Sequence, residues 1–314
     1  MRYISLLGLA VMIGLAWLMS SHKNRFPWRV VLGGLVLQFV FAVVILRTTP
    51  GEWIFGWVNT IFVSLLSGVE VGSRFVFGET YAEHFFAFKV LPTIIFFSAL
   101  MSVFYYYGVI QKIVGLFALV MQKTLGTSGA ETLSAAANVF VGQTEAPLVI
   151  RPYISSMTTS ELNAVMVGGF ATMAGGVLGA LSEMGFEAGH LLSASVISAP
   201  GALLLSKVMQ PEVDEPKTLG NVQIDIEEKS TNVLEAVAVG TTGGMKLALN
   251  VGAMLIVFLA MIAMINMLVG WVGVQFGYGA DGNPLWSLEA ALSYLFYPLA
   301  WLIGIERADC MRAG

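Results

Sequence analysis

TLSAAANVFVGQTEAPLVIRPYI, residues 132–154, sets a polar tip, Gly142-Gln143-Thr144-Glu145, between two short apolar arms. The arms, 132–141 and 146–154, rise 1.5 Å per residue as helices, so each reaches about the middle of a ~30 Å hydrocarbon layer. Two such arms joined at the tip predict a re-entrant helical hairpin, residues 131–156 in all. Pro147 suits the first turn of the second arm, where a missing N–H costs nothing. That places the Glu145 carboxylate at a helix N-terminus, whose dipole and free N–H groups support negative charge. An ionisable group at membrane depth is expensive and by default marks a substrate or ion pathway.

The membrane setting comes from composition. The 314 residues are 57% hydrophobic and 11% charged, with a mean hydropathy of +0.79, against roughly 25% charged residues in soluble domains. The 34 glycines and 16 methionines fit a packed bundle of membrane helices in contact with a lipid bilayer, where small residues let backbones approach. A net charge of −4 gives no reason to expect a nucleic-acid partner. Cys310 is the one cysteine and His22, His84 and His190 are scattered, so neither a disulfide nor a cysteine or histidine metal cluster is expected. The reading is an all-α integral membrane protein, a multi-span helical bundle.

Apolar runs of spanning length occupy 3–19, 30–46, 90–110, 162–181, 190–208 and 247–270, the first two near the lower limit. The first is read as a retained span, since the positive cluster Lys23, Arg25, Arg29 follows it and no small-residue cleavage site does. The Trp-rich segment 53–66 is shorter and predicts a helix lying at the interface. Residues 113–121 are too short to span alone. Residues 210–231 are hydrophilic, with six carboxylates from Glu212 to Glu228, and read as a solvated connector. With the N-terminus outside, ten Lys and Arg fall inside, among them Lys23, Lys123, Arg151 and Lys207, against Arg2, Arg47, Arg74 and Lys89 outside. That bias orients the chain with the connector in the cytoplasm.

Two further features flank the tip. Asn138 is either a helix-packing amide or an oxygen ligand for a hard cation. Gly168-Gly169-Phe170-Ala171-Thr172-Met173-Ala174-Gly175-Gly176 predicts either a very close helix contact or a break within the following span. A break frees carbonyls to coordinate a cation, with Thr172 adding a hydroxyl oxygen.

These residues resemble the concentrative nucleoside transporters. The resemblance is carried by Asn138-Val139-Phe140-Val141-Gly142-Gln143-Thr144-Glu145-Ala146-Pro147-Leu148, by Met157 with Ser160-Glu161-Leu162, and by 168–176. It extends to Leu91-Pro92-Thr93-Ile94-Ile95-Phe96-Phe97-Ser98-Ala99-Leu100 and Leu249-Asn250-Val251-Gly252-Ala253-Met254-Leu255. It implies an ion-coupled, sodium-driven symport of nucleosides by alternating access in the plasma membrane (the bacterial inner membrane), by a homotrimer and with no enzymatic step. Gln143, Thr144 and Glu145 would be base ligands, with Val177 lining the pocket. Sodium, as coupling ion, would sit on the Asn138 and Thr172 side chains and the Val141 and Met173 carbonyls.

It also implies inverted repeats. Residues 1–89 would be scaffold spans and interfacial helix, 90–209 the first repeat, 210–246 the cytoplasmic connector, and 247–314 the start of a second, incomplete repeat. An inverted-repeat site needs both halves, so the chain ending at Gly314 is expected not to transport alone. Gly304-Ile305-Glu306-Arg307 departs from the family's Pro-Trp at the last two positions. The alternative is a non-transporting fragment or trimerisation scaffold. An enzyme using Glu145 as general base lacks an accompanying nucleophile, histidine or metal cluster.

Overall fold

The computed structural model describes residues 2–140, 142–143, 146–173, 175–219, 230–275 and 286–313, and helix is the only regular structure among them. Two compact units form: Met1–Leu18 with Asn250–Gly314, and Met19–Leu249. In the first, α1 (Arg2–Leu18) packs on the helix Leu288–Ile303. Gly8 lets α1 press against the Leu302 carbonyl.

In the second unit, α2 (Trp28–Arg47) lies against the later helix Ala188–Met209. The first spacing to depart from expectation is α3. It is not the short segment 53–66 but Thr49–Phe77, 29 residues starting at a Thr48 cap whose hydroxyl accepts from Gly51 N–H. By length and apolar composition it is one of six helices among the described residues long enough to cross a membrane, and the 17-residue α1 is a shorter apolar helix at the lower limit. Its contacts nevertheless hold both halves at one end of the unit. Glu52 and Asn59 line a cavity of about 510 Å³ with Glu187 and His190. Glu70, near the other terminus, accepts from the Tyr81 hydroxyl and lies 4.0 Å from Lys89, which is also 4.0 Å from Glu183. Glu183 and Glu187 flank a single turn, so α3 runs along this end.

A π-helical turn, Phe86–Val90, leads into α4 (Leu91–Tyr106), and Gly108 in left-handed conformation turns the chain into α5 (Val109–Leu125). The run 113–121, expected to be too short to span alone, is part of a 17-residue helix ended by Gly126 at φ 71°. After it come α6 (Gly129–Asn138) and α7 (Ala146–Val149), then α8 (Thr159–Ala171), α9 (Gly175–Glu183) and α10 (Ala188–Met209).

The hairpin reading needs two boundary corrections. Its first arm starts at Gly129 rather than Thr132, because Ser128 and Glu131 form a reciprocal capping box that satisfies two free N–H groups. Its second arm is a single helical turn that gives way to turns and a 3-10 segment at Ile154–Ser156.

The largest correction concerns the connector. α11 runs from Val233 to Gln275, 43 residues without interruption, so residues 233–246 belong to a helix and not to the connector expected over 210–246. At 1.5 Å per residue it is about 65 Å long, more than twice a hydrocarbon layer. Gly240 and Gly244 bring this helix close to α4. A Cβ at either would stand 2.6–2.8 Å from atoms of Ile95, Ser98, Ala99 and Ser102, so the helix backbone rests directly on α4. α12 (Leu288–Ile303) and α13 (Cys310–Ala313) complete the chain.

Candidate functional site

All ten residues of α6 are buried. Its small side chains (Ser134, Ala135, Ala136, Ala137) let neighbouring helices approach, which is how membrane interiors pack without a hydrophobic driving force. α8 comes closest at Gly168, where a Cβ would sit 3.4 Å from Asn138 Nδ2, and at Gly169, 3.0 Å from the Gln143 Cβ. Both readings of the glycine run therefore apply: close contact at Gly168 and Gly169, and a break just after. α8 stops at Ala171, Thr172 is extended (φ −124°, ψ 163°), and the next helix starts at Gly175. Gly175 in turn leaves room for the Phe140 carbonyl, 2.9 Å from where its Cβ would be.

Three segments converge here. Ser195, in the middle of α10 and 1% exposed, accepts from the Met173 N–H (3.4 Å) and donates to the Val139 carbonyl (3.2 Å). It ties the break in the α8–α9 span to the end of α6. Thr172 donates to the Gly168 carbonyl at 3.0 Å, leaving its oxygen lone pairs available. Asn138 is 0% exposed, and neither its Oδ1 nor its Nδ2 has a hydrogen-bond partner among the described residues. An unmet buried amide costs about 1–3 kcal/mol.

Oxygen donors without formal charge (an amide, a hydroxyl and carbonyls freed by a helix break) suit a hard monovalent cation. The orphaned Oδ1 supplies the fit. Of the expected sodium ligands, Asn138 and Thr172 both adjoin Gly168, Met173 is tied through Ser195 to Val139 beside Asn138, and Val141 lies outside the described residues. Of the expected base ligands, Gln143 is exposed in a turn beside Gly169, and Val177 is half-buried in the first turn of α9. Thr144 and Glu145 lie outside the described residues.

A second polar cluster, absent from the sequence reading, caps the other end of α6. The Lys207 ammonium is 2.7 Å from Glu131 Oε2 and donates to Ser160 (2.9 Å) and Glu212 (2.9 Å). Thr158 and Glu161 form a second capping box at the start of α8. Thr218, from the chain after α10, accepts from Gly129 and Ala130 N–H and donates to Glu161 Oε1 at 3.2 Å. The sequence signal was present, since Glu131 and Lys207 are ionisable groups next to apolar runs. Ser195 gave none, sitting in a run of small residues that reads as packing.

Comparison with known proteins bears on this arrangement. Three family models match in order: Na+ dependent nucleoside transporter N-terminus over 7–80, Nucleoside recognition over 87–186, and Na+ dependent nucleoside transporter C-terminus over 190–314. Solute carrier family 28 member 3 of Eptatretus stoutii is 43% identical over 309 residues, covering 98% of this chain and 44% of that protein. Sodium/nucleoside cotransporter 2 of Mus musculus is 44% identical over 310 residues, 98% of this chain and 46% of that one. The chain thus spans less than half the length of these curated relatives. Among solved structures, CNTnw in an inward-facing substrate-bound state aligns with a TM-score of 0.90 at 42% identity, over 99% of this chain and 74% of that one. A CNTnw variant in an outward-facing state aligns at 0.89 and 41%. A chain that follows a solved member over nearly all its length at this identity, and carries the three sequence models in order, belongs to the Na+-dependent, concentrative nucleoside transporter family.

Proposed function

We propose that this multi-pass membrane chain serves sodium-coupled symport of nucleosides, contributing the base-binding tip and the sodium ligands. The observation that carries the reading is the orphaned amide of Asn138, buried where α6 ends against a helix break. Gln143, Thr144 and Glu145 bind the base, an amide and a carboxylate together matching its mixed donors and acceptors, and Val177 covers its face. Sodium binds at Asn138, Thr172 and the Val141 and Met173 carbonyls. The sodium site lies at the end of the first hairpin arm, next to the tip that the nucleoside needs, so sodium orders that tip and the coupling is reciprocal. Ser195 keeps the arm and the break in one body, which moves as a unit during alternating access. The proposed assembly is a homotrimer in the bacterial inner membrane with the N-terminus outside. The lysine and arginine bias supports the orientation, and light-scattering mass in detergent tests the trimer.

The test is equilibrium binding of radiolabelled uridine by the purified chain in sodium and in choline buffer. Binding should require sodium and disappear in Glu145→Gln. Sodium-independent binding, or full affinity in the variant, would remove the assignment.

A further inference from the structure

Of the seven buried side-chain nitrogen and oxygen atoms without a hydrogen-bond partner among the described residues, four belong to α6: Glu131 Oε2, Ser134 Oγ and both amide atoms of Asn138. These three residues stand at i, i+3 and i+7, so they share one helix face. A fifth such atom, Glu212 Oε1, belongs to the carboxylate that shares Lys207 with Glu131.

Ser134 is the informative member. A serine inside a helix ordinarily returns its proton to a carbonyl one turn back, as Thr132, Ser193 and Ser206 do here. Ser134 is 0% exposed and does not. Glu131 Oε2 is already taken by the Lys207 ammonium, 2.7 Å away. The face therefore offers oxygen after oxygen from Asn138 to the Lys207 end, where Glu212 is 24% exposed at its side chain. At that end a tethered ammonium already occupies the position a mobile cation would take.

We propose that Asn138, Ser134 and Glu131 form a buried cation path along one face of α6, opening at Glu212 and closed in this conformation by the Lys207 ammonium on Glu131. The inference rests on the cation site of the proposed function and extends it: a cation leaving Asn138 passes Ser134 and exchanges with Lys207 at Glu131. Alkali-metal ions of sodium's size are the ligand class. The ammonium on Glu131 opposes a permanent leak, because its charge repels a second cation at the same carboxylate.

Silver ion, a small monovalent cation that reacts with thiols, is the probe. In a Cys310→Ser background, Ser134→Cys should lose its thiol to Ag+ about tenfold faster than Ala136→Cys, since exposure to the reagent governs a thiol's rate. Ala136 is equally buried on the opposite side of α6, and Leu133→Cys is a second control if that variant does not fold. Glu212→Gln, at the mouth, should slow the Ser134→Cys reaction about threefold by removing the charge that concentrates cations there. Equal rates at 134 and 136, or no effect of Glu212→Gln, overturn the path. Sodium-dependent melting of the otherwise unsubstituted chain reports separately on the Asn138 site. Stabilisation by sodium with equal thiol rates leaves that site standing and removes the path. Unequal rates without stabilisation keep the path and remove sodium as its ion.

Discussion

Asn138 carries two opposed costs, which makes its removal diagnostic. Asn138→Ala deletes two unpaired polar atoms, a gain of about 1–3 kcal/mol, and leaves a small cavity worth a comparable loss. Melting in sodium-free buffer should therefore change little, while the rise in melting temperature on adding sodium should vanish. A variant that melts far lower without sodium, yet still responds to it, would make Asn138 a packing residue. At this scale the sequence was legible where chemistry is unusual for its surroundings. An amide and a carboxylate in an apolar run stand out by cost alone. Ser195 does not, because its role depends on meeting Met173 and Val139 from a distant helix, and a lone serine among small residues carries no sign of that.

Helix breaks and helix contacts leave the same trace, glycine, and only packing separates them. The run 168–176 yields a break because Gly175 must clear the Phe140 carbonyl and Ser195 supplies a partner for the freed Met173 N–H. The run Gly240 to Gly244 yields no break, since its glycines face α4 and the ladder continues through it. Thr241 and Thr242 return their hydroxyls to Val237 and Ala238 one turn back, which keeps their side chains satisfied inside the helix. This is why a connector expected to extend to 246 is helix from Val233. The contact predicts a sharp contrast between neighbours. Gly240→Ala places a methyl 2.6–2.8 Å from Ser98, Ala99 and Ser102, whereas the nearest atom to a Cβ at Gly243 is 3.9 Å away. Overpacking costs roughly 1–3 kcal/mol, so Gly240→Ala should lower stability in detergent by that amount. Gly243→Ala should match the parent or exceed it slightly, because alanine is the better helix former. Equal effects would show that α11 does not rest on α4 through this face.

The larger unit is joined at the Lys207 end by charge as well as by apolar burial. Lys207 is 4% exposed and Glu131 1%, and between them they connect the hairpin arm, the start of α8, the end of α10 and the chain that follows it. The long-range pairing was not legible, since 76 positions separate the two residues and each alone reads as a helix-end charge. Why this end is polar follows from the hairpin: a re-entrant arm begins where a span would end, so its N-terminal N–H groups need partners at the same level as the C-terminus of α10. A buried pair is costly to break and cheap to replace whole. Lys207→Met alone leaves the Glu131 carboxylate uncompensated and should destabilise the chain by about 3–5 kcal/mol. Glu131→Gln alone strands the ammonium less severely, because Glu212 at 2.9 Å still pairs with it. The double variant Lys207→Met with Glu131→Gln should recover much of the single Lys207→Met loss, giving a coupling of roughly 2 kcal/mol or more in a double-mutant cycle of detergent unfolding. Strictly additive losses would mean that Lys207 is held by Glu212 and Ser160, with Glu131 a bystander whose oxygen serves the capping box alone.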